Sequence, residues 1–168
     1  DKLKPIYRSY LHALKQLNLE PVDYETVKQT VGGSVDVTME RLIGPELAPR
    51  AVEIFLPYFD SIMFEDLIAL PGAREILDGL QAQGKRLAVF TNKRGDAARA
   101  TLEHLELTTF LDQVMGANDT PWRKPQPEFS RHALEKMQTT AEESCLVGDS
   151  PFDLQSASVV GMPCHLGA

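Results

Sequence analysis

Two carboxylates four residues apart, Asp149 and Asp153, follow the apolar run Leu146-Val147 through a single glycine, Gly148. Carboxylate oxygens suit a hard cation such as Mg²⁺, which keeps several waters and takes one or two protein carboxylates together with substrate phosphate oxygens. Gly148 lets the backbone leave a strand sharply, and Pro151 stiffens the turn that follows. Taken alone, the same turn is equally what an aspartate capping a helix would look like. A second group, Thr91 and Asn92, follows the apolar run Leu87 to Phe90. A hydroxyl, an amide and the backbone N–H groups opening a helix together suit a phosphate oxygen, with a plain helix cap as the alternative. The third group is Lys124, set between Arg123 and Pro125-Gln126-Pro127. Prolines restrict φ there, so the lysine is a positive charge on a stiff loop, able to neutralise both a carboxylate nucleophile and phosphoryl oxygens. A solvated loop lysine is the competing reading.

The elements that must position these groups fall into two stretches. Ile6, Tyr10, Ala13, Leu14, Leu17 and Leu19 recur at near-helical spacing, which predicts an amphipathic helix over the first twenty residues, ending before Pro21. Further helices are expected over 23–31, 35–42 and 45–56, with another near 58–63. No strand is expected before Leu70. From Pro71 onward helices alternate with short apolar strands: helix 73–83, buried strand 86–90, helix 96–105, strand 113–115, helix 127–137, strand 144–147 and helix 152–160. That alternation predicts βαβ units on a mostly parallel sheet. The expected organisation is therefore an all-helical module over 1–70 and an α/β module over 71–168. In open α/β sheets ligands sit outside the carboxyl ends of the strands. Thr91-Asn92, the loop to Lys124, and Gly148-Asp149 all follow such ends.

Composition narrows the function. Hydrophobic residues make up 43% and charged residues 24% of the 168 positions, as expected of a packed globular core. The formal charge of -7 disfavours nonspecific nucleic-acid binding, which needs clustered Lys and Arg. No apolar run approaches the length that spans a bilayer, so no membrane partner is expected. Cys145 and Cys164 read as two buried small residues rather than a disulfide framework, which favours a cytoplasmic location. His12, His104, His132 and His165 have no metal-ligand spacing. Nothing in the sequence specifies an oligomeric state.

The order of the three groups is more telling than any one of them. Thr91-Asn92-Lys93 after one strand, Lys124-Pro125 before a helix, and Gly148-Asp149-Ser150 with Asp153 after a later strand resemble the second, third and fourth motifs of the haloacid dehalogenase superfamily. Leu70-Pro71-Gly72-Ala73 is similar to the segment where such chains return from an inserted helical cap, and 1–70 resembles the phosphoglycolate-phosphatase-like form of that cap. The resemblance implies a Rossmann-like core, mostly parallel with flanking helices, plus the cap. It implies a Mg²⁺-dependent phosphatase that hydrolyses a small phosphorylated metabolite, a phosphate monoester such as 2-phosphoglycolate, through an aspartyl-phosphate. Thr91 and Asn92 would then bind the phosphoryl group, Lys124 would neutralise nucleophile and phosphate, and Asp149 with Asp153 would hold the metal directly or through water. Lys93 would point along its helix. Val31-Gly32-Gly33-Ser34 would approach the substrate or serve as a simple interhelical turn.

One part of the family pattern is missing. The first motif, Asp-x-Asp-Gly-Thr, occurs nowhere in the sequence, which starts at Asp1 without Met and stops at Ala168. We therefore expect flanking segments to lie outside 1–168, the attacking aspartate among them. Two alternatives remain at this stage: a phosphomutase of sugar phosphates on the same fold, and a noncatalytic binding or regulatory protein that has lost the nucleophile.

Overall fold

In a computed structural model, residues 3–31 and 34–167 are described. Gly32 and Gly33, and with them the centre of the expected glycine turn, lie outside the described residues. The chain divides into two compact units, 1–68 and 69–168.

The first unit is helical: α1 (Leu3–Gln16), α2 (Tyr24–Thr30), α3 (Val35–Ile43) and α4 (Ala48–Ile62). The expected first helix stops short because Asn18 turns left-handed, at φ 54°, and the Leu19 amide closes on Leu14 O at 3.0 Å. Asparagine tolerates that conformation better than most residues, so it ends helices. Asp23 and Ser34 cap α2 and α3 by accepting from the amides of Thr26 and Val37. The two helices expected around Pro57 are one continuous helix, α4. Proline forfeits a backbone hydrogen bond there, but Ala51, Val52 and Phe55 before it and Ile62 after it are all buried, and that burial holds the helix together. The core joins Tyr10, Ala13, Val27, Met39, Ala48, Ala51, Val52 and Phe55, with the Tyr10 and Phe55 rings 4.7 Å apart. Burial pushes the Tyr10 phenol up to about 12.

The second unit alternates α5 (Ala73–Ala82), β1 (Ala88–Phe90), α6 (Gly95–His104), a 3-10 turn (Thr108–Phe110), β2 (Gln113–Met115), α7 (Pro127–Lys136), β3 (Leu146–Gly148), α8 (Pro151–Ser158) and β4 (Cys164–Leu166). The strands form two parallel pairs. β1 runs beside β2 with Val89 opposite Val114, and β3 beside β4 with Val147 opposite His165. Each pair is a βαβ unit, closed by α6 or α8. α7 ties the two together: its buried Phe129 ring lies 4.5 Å from that of Phe90 in β1, and the Ser130 hydroxyl donates to Ser156 O of α8 at 2.8 Å.

The α/β, parallel-stranded class agrees with the sequence, and three details differ. β4 was not anticipated, because Cys164-His165-Leu166 is too short and mixed to signal a strand. The strand expected to be buried at 86–90 is only partly so, and Val147 is 72% exposed. Cys145 is exposed and Cys164 half-buried, both as free thiols, rather than buried. The exposure has one physical reason: among the described residues each strand has a single hydrogen-bonded neighbour, which leaves its other edge uncovered. Among the described residues no helix is long and apolar enough to cross a membrane.

Candidate active site

The three sequence groups converge through Lys124. The end of β1 grips this lysine twice. Asn92 Nδ2 donates to Lys124 O at 3.1 Å while the Lys124 amide donates to Asn92 Oδ1 at 2.8 Å, and the Lys124 ammonium donates to Phe90 O at 3.0 Å. A second donation goes to Asp153 Oδ1, at 2.6 Å. Among the described residues two of the ammonium's three N–H bonds are thus directed at hydrogen-bond acceptors, and the ammonium also lies 5.3 Å from the centre of the Phe90 ring. The ion pair is buried, with side chains 9% and 8% exposed, so Lys124 is no solvated loop lysine. Its loop is held by its own turns: Gln126 N donates to Arg123 O, Arg123 N to Gln126 Oε1, and Trp122 N to Thr120 Oγ1. The Lys124–Pro125 peptide is cis. Trp122 packs beside the His132 ring of α7.

Asp153 is the other hub. Its Oδ2 accepts from the Ser150 hydroxyl at 2.6 Å and from the amides of Ser150 and Asp149, while Ser150 in turn caps α8 by accepting from Asp153 N. The helix cap of this turn is therefore Ser150, not an aspartate. Such a capping box satisfies two orphan amides reciprocally. Burial pushes the Asp153 carboxyl up, but the hydrogen bonds from Lys124 and Ser150 and the lysine charge outweigh it and hold the group below the usual aspartate range. Gly148 is needed here for space: a Cβ on it would lie 2.3 Å from Asp153 Cγ. Asp149 is exposed at the carboxyl end of β3.

Thr91 and Asn92 are not caps. The N-cap of α6 is Arg94, which makes no side-chain capping bond, and Thr91 Oγ1 instead accepts from Lys93 N at 3.1 Å. Lys93 runs along its helix, its ammonium donating to Thr101 Oγ1 at 2.9 Å. The start of α6 is fixed from β2's side. Asn118 Oδ1 accepts from Gly95 N at 2.7 Å, and Asp119 accepts from Gly116 N and, through both oxygens, from Arg99. The Arg99 guanidinium holds Asp119 below the usual aspartate range. A Cβ on Gly116 would meet Gly95 Cα at 2.3 Å, so the backbones touch directly.

The structure thus joins Asn92, Lys124 and Asp153 in one bonded network that also includes the Asp149 backbone. Sequence reasoning missed Ser150, Phe90 O and the Asn118–Asp119–Arg99 brace. Ser150 was discoverable, since Ser150-Pro151-Phe152-Asp153 has a capping-box spacing. The brace carries no local signal.

Comparison with known proteins identifies the family. Residues 1–166 match the family model of haloacid dehalogenase-like hydrolases. Phosphoglycolate phosphatase from Nitrosospira multiformis is 30% identical over 156 residues, covering 88% of this chain and 69% of that protein. The enzyme of the same name from Rhodospirillum rubrum is 32% identical over 161 residues, covering 89% and 67%. Among solved structures, a haloacid dehalogenase-like family hydrolase from Streptococcus pneumoniae superimposes with a TM-score of 0.85 at 21% identity, over 98% of this chain and 77% of that one. That last likeness concerns the fold alone. The chain belongs to the haloacid dehalogenase-like hydrolase family, and it is an enzyme chain of that family, with a Rossmann-like α/β core and a helical unit.

Proposed function

We propose that this chain carries the phosphoryl-binding and charge-neutralising part of a phosphatase of small phosphate monoesters, 2-phosphoglycolate among them. One observation supports it above the rest: a buried lysine whose ammonium is fixed by Phe90 O and Asp153, with a third N–H that has no acceptor among the described residues. A fixed, partly desolvated positive charge stabilises phosphoryl oxygens without reorganising during the reaction. Thr91, directly after β1, supplies a hydroxyl and Asn92 a backbone N–H on the same strand end. The relatives named phosphoglycolate phosphatase supply the substrate class.

The residues present fit a magnesium ion in one respect that bears on roles. Asp149 is an exposed carboxylate at a strand end, which suits direct coordination, whereas Asp153 already receives Lys124, Ser150 and two backbone amides. Asp149 would hold Mg²⁺ directly and Asp153 through water. When bound, the ion supplies neutralisation of the phosphoryl charge. Lys124 keeps Asp153 ionised and presents its remaining N–H to the phosphoryl group. In this reading the covalent step forms an aspartyl-phosphate on a carboxylate of the Asp-x-Asp motif, which 1–168 does not contain. The helical unit over 1–68 acts as the cap and the unit over 69–168 as the core. The free thiols of Cys145 and Cys164 favour the cytoplasm.

The test is phosphate release by the full-length protein from a panel of small phosphomonoesters, with and without Mg²⁺. Metal-dependent release from 2-phosphoglycolate is expected. Release from none of them would sink the reading, and isomerisation of a sugar phosphate without net release would turn it into a mutase.

A further inference from the structure

We propose that Asn92 is a positioning residue for Lys124 rather than a side-chain ligand of the phosphoryl group; this rests on the phosphatase reading above. The Asn92 amide meets the main chain of Lys124 reciprocally, donating to its carbonyl and accepting from its N–H, across 32 positions of sequence. Two antiparallel bonds fix the orientation of a backbone segment, where a single bond would leave it free to rotate. The second grip on the same lysine comes from Phe90, two residues earlier, whose carbonyl takes the ammonium.

One strand end therefore holds the lysine at its root and at its tip. This matters because a lysine stem has many rotamers, and its charge is useful only where it is held. The orientation of the amide is also set by this clamp: Oδ1 must face the Lys124 N–H and Nδ2 the Lys124 carbonyl. An acceptor oxygen gains nothing from a phosphate oxygen, so half of the amide has no part in anion binding. Aspartate in place of Asn92 could accept from the Lys124 amide but could not donate to its carbonyl, and it would set a negative charge against that carbonyl. Alanine would remove both bonds.

Two measurements on the full-length protein test this. First, inorganic phosphate binding is titrated calorimetrically for Asn92→Ala, alone and in a Lys124→Met/Asp153→Asn background, which removes the ammonium without stranding a buried carboxylate. We expect about tenfold weaker binding from Asn92→Ala in the otherwise unsubstituted protein and less than about twofold in that background, because coupled residues are non-additive. Equal weakening in both backgrounds would make Asn92 a direct ligand and overturn the proposal. Second, amide hydrogen exchange at Lys124 needs no ligand. Asn92→Ala is expected to speed it by about tenfold or more while the amides of β1 and β3 keep their rates, as for a local opening. An unchanged Lys124 rate overturns the clamp. Failure of the unsubstituted protein to bind phosphate would count against the phosphatase reading, and the exchange rate would still decide the clamp.

Discussion

The helical unit closes an apolar core from its own four helices, whereas the α/β unit leaves Val147, Leu154, Val159 and Leu166 exposed and ties its strand ends together with polar bonds. The difference follows from the elements. A helix satisfies its backbone internally and needs only one apolar stripe covered, as Tyr10, Ala13 and Leu14 of α1 are. A strand satisfies its backbone only through neighbouring strands, and among the described residues β1 and β3 have one each. Where packing is thin, hydrogen bonds to Lys124 and Asp153 carry the arrangement. The region least supported by apolar burial is thus the one with the best-specified polar geometry.

Substitutions separate the two modes of support. Phe55→Ala strips the centre of the helical core, and we expect a loss of about 4 kcal/mol in chemical denaturation. An effect below about 1 kcal/mol would mean that the helical unit does not depend on that core. Lys124→Met strands the Asp153 carboxylate in a site 5% exposed, with an expected loss of about 3 kcal/mol at neutral pH and of phosphatase activity.

The sign of the pH dependence follows from the depressed Asp153 carboxyl. Its contribution is fully present above the unfolded value of about 3.9 and is lost as the pH falls through the lower folded value. The stability gap between the unsubstituted protein and Lys124→Met should therefore narrow as the pH falls through the range between the Asp153 carboxyl's value without the lysine and its lower value with it, in acid titrations followed by circular dichroism. A gap that is constant with pH would remove the ion pair from the account.

Gly148→Ala forces a Cβ against the Asp153 carboxylate, with an expected loss of about 2 kcal/mol in thermal unfolding and a weakened α8 cap. The smallest effect has the opposite sign. Ser156 Oγ is buried without a hydrogen-bond partner among the described residues, so Ser156→Ala should leave the melting temperature unchanged or raise it, by up to about 1 kcal/mol of stability.

The sequence made some of this legible and concealed the rest for identifiable reasons. Periodicity located the helices, because Ile6, Tyr10, Ala13 and Leu14 lie on one face, and two of the three motif groups stood directly at strand ends, with Lys124 on the loop between β2 and α7. Pro57 misled, since a local rule about proline carries no information on the burial of Ile62 beyond it. Burial of β1 and of Cys145 was misjudged because an apolar run states what could be covered, not what covers it. Asn92 illustrates the limit at the site: its type suggested phosphate binding, while its actual partners are main-chain atoms 32 residues away.

Those separations also order events in time. Asp23 reaches the Thr26 amide three residues on and can do so as soon as α2 nucleates. Lys124 meets Asn92, Phe90 and Asp153 across 32, 34 and 29 residues, so each contact must wait for a long loop to close. Caps and helices can form early, but the charged centre assembles only after β1 and α8 have come together. A chain still on its way to the native state can hold its capped helices before the Lys124–Asp153 pair exists, so the buried charges are the last part to be brought together.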